Sequence, residues 1–155
     1  MKTIACLAVG RLKTPHWVRA AEHYAKLIGR FVRFERIEVK DAPGHLSPER
    51  RKEVEGRALL AKLEPKDRVL GLDLRGQTYS SEDFASVLEK WWEDPVRKPC
   101  FVLGGAYGLS REVRERCDQL VSLSAMTLPH ELARIVLFEQ VYRAMTILRG
   151  TGYHH

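Results

Sequence analysis

Short apolar runs alternate with amphipathic segments along the whole chain, and this alternation predicts the fold class. Five runs have the length and apolar content of strands, at residues 3–9, 31–39, 68–74, 100–103 and 120–123. Helices are predicted in the segments that follow these runs, at 15–28, 48–63, 81–91, 111–119 and 130–148. Apolar residues recur at helical spacing in the first and third segments, whereas residues 49–53 of the second are interpreted as solvated charge and the fourth is charged. Strands that alternate with helices predict an α/β fold with a mostly parallel sheet and helices on both of its faces. Since no linker or repeat interrupts the pattern, we expect residues 1–155 to form a single domain.

Local signals mark where several of these elements begin and end. A hydroxyl residue that can cap a helix stands directly before four of the predicted helices, at Thr14, Ser47, Ser80 and Ser110. The second strand is more polar than the others, which predicts a position near an edge of the sheet. We expect Arg75 and Gly76 to form the turn that ends the third strand.

The helix predicted at 130–148 is unusually apolar. Its apolar residues occupy more than one stripe, at Leu132, Ile135, Val136, Phe138, Val141, Tyr142, Met145, Ile147 and Leu148. This distribution predicts burial on several faces. We therefore expect something besides this chain's own core to cover part of the helix.

Composition argues against several classes of protein. At 155 residues the chain is long enough for a conventional core. Three widely spaced cysteines, Cys6, Cys100 and Cys117, argue against a disulfide framework or a zinc site. The opening apolar run is too short for a signal peptide, and no run reaches the roughly 18 apolar residues of a membrane span. We expect a cytoplasmic protein with reduced cysteines and no membrane contact.

The chain carries a formal net charge of +6, from 26 basic and 20 acidic residues. Such a surplus favours association with polyanions, because basic side chains that bind a polyanion release the counterions condensed on it. RNA is the commoner polyanion in the cytoplasm, but a solvated surface with a mild excess of charge has the same composition. Charge alone leaves both interpretations open.

The candidate ligand site lies where the predicted strands end, because open α/β sheets bind ligands beyond the carboxyl ends of their strands. Three of these ends have unusual sequences: Leu72-Asp73, the glycine-rich residues 104–108, and residues 123–128. The glycines would allow a ligand to approach the main chain closely. An ordinary turn between a strand and a helix explains the glycine-rich residues equally well.

Familiar motifs for other chemistry are missing from the sequence. Gly108 is followed by Leu109 and Ser110, whereas a P-loop requires lysine and then serine or threonine. The first strand ends in Gly10-Arg11 rather than in the glycine pattern of a dinucleotide site. The six histidines show no metal-binding spacing, and no nucleophile-elbow sequence occurs. We expect neither a metal site nor a serine nucleophile.

Polar side chains gather near the end of the chain. Glu139 and Arg143 stand at i and i+4, a spacing at which a surface ion pair contributes about 0.2–0.5 kcal/mol. On so apolar a helix, an interface or a functional site explains this pair as well as a solvated surface does. Tyr153 and His154 follow in the tail, where a frayed end is the simpler explanation.

Taken together, these segments resemble the RlmH family of SPOUT-class methyltransferases, which modify N3 of a pseudouridine in large-subunit ribosomal RNA. The resemblance runs nearly end to end. It is carried by LAVGRLKTPHWV, LDLRGQTYSSEDFA, FVLGGAYGLS and SLSAMTLPHELARIVLFEQVYRA, with a closing Gly-Tyr-His. It implies a SPOUT-type fold with a C-terminal trefoil knot, and pseudouridine 1915 of the assembled ribosome as the target.

The resemblance also implies a composite site. An S-adenosylmethionine site is implied at the same strand ends, formed by Leu72, Gly104, Leu123, Ser124, Ala125, Met126, Thr127 and Leu128. A homodimer is implied, in which the tail of one subunit enters the site of the other. Arg143 and Tyr153 would position the nucleotide, and His154 would either assist removal of the N3 proton or act only in positioning.

Two departures from the family and one competing interpretation remain. The family tail usually reads Pro-Tyr-His followed by a basic residue, whereas here Gly152 precedes Tyr153 and His155 ends the chain. The glycine would loosen the tail, and the missing basic residue would weaken a phosphate contact. A non-catalytic module of the same fold that binds ribosomal RNA would show the same charge and the same dimerisation.

Overall fold

The computed structural model describes residues 2–154, apart from the side chain of His154. Strands and helices alternate in the order β1 (Thr3–Val9), α1 (Pro15–Ile28), β2 (Arg33–Val39), α2 (Pro48–Lys62), β3 (Asp67–Thr78), α3 (Ser81–Glu93), β4 (Lys98–Leu103), α4 (Arg111–Arg116), β5 (Gln119–Ser122) and α5 (His130–Arg149). A 3-10 turn, Gly152–His154, follows α5. The predicted alternation of elements is confirmed, and most bounds lie within three residues of those predicted from the sequence.

These five strands form one parallel sheet in the order β2-β1-β4-β3-β5. β2 lies at an edge, as its polar content predicted. Because all five strands run in the same direction, their carboxyl ends meet at one edge of the sheet. The α/β fold class is confirmed, whereas the trefoil knot stays a prediction.

Helices cover both faces of the sheet. Alternate residues of β1 enter two separate apolar clusters, with Cys6 in one and Leu7 in the other. Helices α1, α3 and α5 contribute to the first cluster, and α2 and α4 contribute to the second. β1 therefore consists almost wholly of apolar residues, because neither face is left for water.

α5 is the middle helix of the first layer, where it packs against both α1 and α3. Its buried residues are Arg134, Ile135, Leu137, Phe138, Val141, Ala144, Met145 and Thr146. Neighbours within the chain thus account for burial on more than one face. Leu132, Val136, Arg143 and Ile147 share a face that stays only half-buried. Within residues 2–154, no helix is long and apolar enough to cross a membrane.

Three of the four expected hydroxyl caps are present. Ser47, Ser80 and Ser110 each accept a hydrogen bond from the main-chain N–H three residues further on, at 3.3, 3.0 and 3.3 Å. Thr14 occupies the N-cap position of α1, but its side chain makes no capping bond, so that expectation was wrong. Pro15 already holds the first helical residue near the required φ, which reduces the need for a cap.

β3 continues through the point where we expected it to turn. Arg75 and Gly76 lie within the strand, so the predicted turn was wrong. The pairing of β3 with β5 changes register here, since Val121 lies opposite both Leu72 and Gln77. The residues between these two partners, 73–76, form a bulge. The sequence around Gly76 could not reveal this arrangement, because it depends on β5, a strand more than 40 residues further along the chain.

Gly76 lies directly against the main chain of β5. A Cβ at this position would be 2.6 Å from both the carbonyl carbon of Leu120 and the nitrogen of Val121. Main-chain atoms of a paired strand cannot move aside as a flexible side chain can. Glycine is therefore required for this close approach.

The three cysteines are free thiols; Cys6 and Cys100 are buried, and Cys117 is half-buried. Burial raises the pKa of Cys6 and Cys100 to about 12 and that of Cys117 to about 11. The thiols are therefore protonated near neutral pH, where a protonated thiol is a poor nucleophile. They act as small apolar residues in the two cores.

We predict that Gly76→Ala lowers the free energy of unfolding by about 1–3 kcal/mol or more, because the added methyl group overlaps the β5 main chain. Denaturant unfolding followed by circular dichroism measures the loss. Gly44→Ala is the matched control, because no atom lies within 4 Å of a Cβ at Gly44. Its effect is expected to stay within about 0.5 kcal/mol. Equal stability of the two variants would contradict the close approach at Gly76.

Candidate active site

A cavity opens at the carboxyl edge of the sheet, where β4 and β5 end and where β3 has passed its last pairing with β4. Its volume is about 520 Å³, which falls in the usual range of roughly 300–1,000 Å³ for small-molecule sites. The glycine-rich residues 104–108 and the loop after β5 form much of its lining, and His130 and Ala133 of α5 complete it. This is the edge at which the strand order led us to expect a ligand.

All but one of the residues expected to hold a cofactor line this cavity, namely Leu72, Gly104, Leu123, Ser124, Met126, Thr127 and Leu128. Ala125 is the exception, because it is exposed and does not belong to the lining. The structure thus brings three separate segments of the sequence to one place. The role of these residues in cofactor binding stays a prediction.

Hydrogen bonds within the loop after β5 hold the loop at the cavity wall. The Ser122 hydroxyl donates to the Ser124 carbonyl at 2.9 Å, and the Ser124 hydroxyl accepts from the Met126 N–H at 2.9 Å. Short serine side chains commonly stabilise turns in this way. Met126 is 77% exposed, so the rim of the cavity offers apolar surface to a ligand or to another protein chain.

The glycine-rich loop after β4 is a closed turn. The Gly108 N–H donates to the Gly105 carbonyl at 3.1 Å, and Gly108 has a φ of +85°. A Cβ at Gly104 would lie 2.5 Å from the carbonyl carbon and oxygen of Gly108. The loop can therefore present main-chain groups to a ligand without obstruction from side chains.

Glu55 of α2 supports this glycine-rich loop. Its side chain is buried, and its Oε2 accepts a hydrogen bond from the Ala42 N–H at 2.9 Å. Its Oε1 lies so near Gly105 that a Cβ there would be only 2.8 Å away. At the next residue, Gly56, a Cβ would meet Ser110 Oγ at 2.4 Å, so glycine allows α2 to sit close to α4. The carboxylate thereby contacts the loops that follow β2 and β4.

Glu55 was not among the residues predicted from the sequence to belong to a site, since it follows closely on the charged residues 49–53 of α2. Gly56, the residue after Glu55, is the signal in the sequence that could have drawn attention to this part of α2. Glycine inside a helix costs about 1 kcal/mol relative to alanine and usually has a packing reason. A packing reason at Gly56 indicates that this part of α2 lies close to another element.

Asp73 places a nearly buried carboxylate on the cavity wall. Burial alone would raise the pKa of Asp73, but hydrogen bonds from the Arg75 main-chain N–H and guanidinium outweigh it and lower that pKa. The carboxylate is therefore ionised near neutral pH and can accept hydrogen bonds from a ligand.

Among the described residues, no group of three or more histidine, cysteine, aspartate or glutamate side chains is placed to hold a metal ion.

Arg143 and Tyr153 meet in a second cluster, which is centred on Glu139. Glu139 Oε1 accepts hydrogen bonds from Arg143 Nη2 at 2.7 Å and from the Tyr153 hydroxyl at 3.2 Å. The Arg143 guanidinium carbon lies 5.0 Å from the centre of the Tyr153 ring, and the Tyr142 ring packs edge-on against Tyr153 at 4.6 Å. Glu139 and Arg143 therefore form more than an isolated surface ion pair, because together they anchor the tail.

The protonation of this cluster follows from its contacts. The hydrogen bond to Glu139 raises the pKa of Arg143. Burial, together with the nearby Glu139 carboxylate, raises the pKa of Tyr153 to about 12. Near neutral pH, Arg143 is a cation and Tyr153 is a hydrogen-bond donor rather than a base. The prediction for His154 concerns a side chain that lies outside the described residues.

One chain does not bring the cavity and the cluster together. Neither Glu139, Arg143 nor Tyr153 belongs to the cavity lining. α5 carries both regions, with His130 at the cavity and Arg143 in the cluster. Ala133 is the lining residue of α5 nearest to Arg143, and at 1.5 Å of rise per residue about 15 Å of helix separates the two. That distance is too great for Arg143 to touch a ligand in the cavity of its own chain.

A protein-family model described as predicted SPOUT methyltransferase matches residues 1–154. The chain belongs to the SPOUT methyltransferase family. The ribosomal RNA large subunit methyltransferase H of Oleidesulfovibrio alaskensis is 48% identical to it over 155 residues, which cover 100% of both chains. The protein of the same name from Nitratidesulfovibrio vulgaris is 46% identical over 155 residues, which cover 100% of this chain and 99% of that protein.

Solved structures show the same fold at much lower identity. A probable methyltransferase from Bordetella pertussis Tohama I has a TM-score of 0.57 and 17% identity, with 93% of this SPOUT chain and 94% of that chain covered. A methylase family protein from Neisseria gonorrhoeae has a TM-score of 0.54 and 17% identity, with coverage of 91% and 82%. At such identities the likeness concerns the fold alone.

We predict that Glu55→Ala weakens binding of S-adenosylmethionine by about tenfold, because the Ala42 N–H loses its acceptor and the glycine-rich loop loses its support. Titration calorimetry measures the affinity. Glu55→Gln retains an acceptor oxygen and is expected to bind nearly as tightly as the unaltered chain. Glu53→Ala, on the half-exposed face of the same helix, is the control. If Glu55→Ala matched this control, Glu55 would have no role in supporting the loop.

Proposed function

We propose that this chain methylates N3 of a pseudouridine in large-subunit ribosomal RNA, with S-adenosylmethionine as the methyl donor. Two observations that agree support this proposal. The family model matches residues 1–154, and a cavity lies at the edge of the sheet where the resemblance to that family implies a cofactor. The relatives named ribosomal RNA large subunit methyltransferase H, at 48% and 46% identity, support a ribosomal RNA substrate. We further propose that the target is pseudouridine 1915 of the assembled ribosome and that the protein acts in the cytoplasm.

The cavity suits S-adenosylmethionine in size and in chemistry. The side chains of Leu72, Leu103 and Leu128 would pack against the adenine ring, and the main chain of residues 104–108 would pair with its polar edge. The ionised Asp73 carboxylate would accept hydrogen bonds from hydroxyl or ammonium groups. When bound, S-adenosylmethionine supplies a methyl group that is activated by a positively charged sulfur.

The residues of the C-terminal cluster would act on the nucleotide. Methylation of N3 requires that this nitrogen lose its proton and lie in line with the methyl group. Positioning alone contributes effective molarities of roughly 10⁵ M or more. Arg143 would stabilise the negative charge that develops on the base, or hold a phosphate. Tyr153 would donate a hydrogen bond, since its pKa of about 12 excludes a role as the base.

His154 is the remaining candidate for accepting the N3 proton. An imidazole can take up a proton near neutral pH, which neither Arg143 nor Tyr153 can do here. A purely positional role for His154 requires no such step. The two roles differ in pH dependence, because only proton acceptance makes the rate follow the titration of the imidazole.

The cluster reaches the cavity in a homodimer. Since about 15 Å of α5 separates Arg143 from Ala133 in the cavity wall of its own chain, the cluster would enter the cavity of a second copy. The half-buried face of α5 that carries Leu132, Val136 and Ile147 supplies apolar surface for such a contact. Leu74 and Met126, which are exposed at the cavity rim, supply more.

The altered tail is compatible with this role. Gly152 stands where the family usually has proline and leaves the main chain freer. In this chain, the hydrogen bond from Tyr153 to Glu139 and the stacking of Arg143 on the Tyr153 ring restrain the tail instead. The position of the family's basic residue is taken by His155, which lies outside the described residues.

We predict that the chain methylates ribosomes that lack this modification and leaves modified ribosomes unchanged. Mass mapping of the ribosomal RNA is expected to place the new methyl group on a pseudouridine. A methyl group on another base would contradict the proposed specificity. A non-catalytic RNA-binding module would give no product and no heat on titration with S-adenosylmethionine.

We predict that two inactive variants restore activity to each other when mixed. Thr127→Trp blocks the cavity, and Arg143→Ala removes the cluster's cation. Random exchange makes about half of the dimers mixed, and one of the two sites in each mixed dimer is intact. Activity should therefore recover to about a quarter of the unaltered level in a single-turnover assay. No recovery is expected if the cavity and Arg143 of the same chain act together, because every subunit would then carry one defect.

A further inference from the structure

A second cavity, of about 320 Å³, lies between α1, β1, β2 and α5, outside the proposed cofactor site. The small side chains of Ala8 and Ala21 leave this space open beneath α1. Nothing in the proposed methyl transfer uses the cavity. Its volume lies at the lower end of the range for small-molecule sites, which is suitable for one flat ring system rather than for a whole cofactor.

A buried arginine forms part of the wall of this cavity. Arg134 is only 5% exposed, and three hydrogen bonds fix its guanidinium. Its Nη1 donates to Glu38 Oε2 at 2.7 Å, and its Nη2 donates to the carbonyls of Val9 and Gly10 at 3.1 and 2.8 Å. The Nε–H has no acceptor among the described residues. A buried donor without an acceptor is costly, which indicates that a ligand or water completes the site.

The rest of the lining combines donors, acceptors and apolar surface. Arg11 and Arg36 add two further guanidinium groups, and Glu22 and Glu38 add two carboxylates. Arg36 pairs with Glu22 at 2.7 Å, just as Arg134 pairs with Glu38. Apolar side chains, among them Val18, complete the walls.

This combination selects the kind of ligand. A free anion would meet two carboxylates, and two of the three arginines already have acidic partners. A purely apolar ligand would leave the Arg134 Nε–H without an acceptor. A nucleobase fits better, because its edge carries both acceptors for arginine and donors for glutamate, while its faces stack on guanidinium groups and apolar side chains.

The cavity also lies beside the proposed active site. Arg134 lines it, whereas the preceding residue, Ala133, lines the cofactor cavity. The loop that carries Arg11 is attached to the start of α5, because the Lys13 N–H donates to Glu131 Oε1 at 2.9 Å. An RNA strand held at the cofactor cavity therefore passes close to the mouth of the second cavity.

We propose that this second cavity binds an unstacked base of the RNA substrate, at a nucleotide near the one that is methylated. This proposal rests on the proposed function, because that function identifies the RNA as ribosomal RNA. Proteins that recognise single-stranded RNA commonly take such bases into pockets and contact their edges. Binding a second base would position the substrate without contributing to the chemical step.

Kinetics with unmodified ribosomes test the proposal. Val18→Trp narrows the mouth of the cavity at a residue that is 37% exposed, and Arg11→Ala removes an exposed guanidinium group. Each variant is expected to raise KM for ribosomes by about five- to tenfold, the effect of losing one or two polar or stacking contacts. The value of kcat should stay within about twofold, and affinity for S-adenosylmethionine should not change. Arg19→Ala, on an exposed part of α1 outside the lining, is the matched control.

Crosslinking tests the same cavity without depending on catalysis. With p-benzoylphenylalanine in place of Val18, irradiation is expected to join the chain to one nucleotide within a few positions of the methylated one. A KM equal to that of Arg19→Ala, or the absence of an RNA crosslink, overturns the proposal. Dissociation of a dimer by Val18→Trp, measured by sedimentation, also overturns it, since the cavity would then be a subunit contact. Failure of the proposed function would appear differently, as no methylation by the unaltered chain.

Discussion

The passage of β5 directly against the main chain at Gly76 determines the shape of the candidate active site. Because Val121 pairs with both Leu72 and Gln77, the residues between them stay within β3 but bulge out of its pairing with β5. That bulge places Asp73 on the cavity wall, and the same passage brings the loop after β5 to the same edge. A side chain at residue 76 would separate the two strands and displace both walls together.

α5 connects the cavity at the carboxyl edge with β1 and with the C-terminal cluster around Glu139. The first turn of α5 closes the cavity at the carboxyl edge of the sheet. Arg134 joins α5 to the carboxyl end of β1 through the carbonyl groups of Val9 and Gly10. A buried arginine is costly to desolvate, and the pair with Glu38 and the bonds to main-chain oxygens offset that cost. Since the helix is rigid, it also holds Arg143 at a constant distance from the cavity of its own chain. The proposed dimer follows from that distance, and so does the proposed separation of cofactor binding from nucleotide positioning.

Much of this architecture was predictable because its signals are local. The apolar run at 3–9 predicted a strand, and Ser80 and Ser110 predicted the starts of their helices. Parallel strands alone predicted a ligand site at the carboxyl edge, and a cavity of suitable size lies there. By contrast, Gly76 was interpreted as a turn and Glu55 was not noticed. The importance of each depends on a segment far away in the sequence, β5 for Gly76 and the loops at Ala42 and Gly105 for Glu55.

The sequence by itself determined the α/β class, the edge at which a ligand site was expected and the resemblance to the SPOUT methyltransferases. These depend on periodicity, on caps and on short motifs, all of which act over a few residues. Only the tertiary structure decided that neighbouring helices bury α5 on more than one face, that Glu139 anchors the tail, and that Arg143 lies away from the cavity. Those outcomes depend on which distant surfaces meet, and packing between distant surfaces leaves no periodic trace in the sequence.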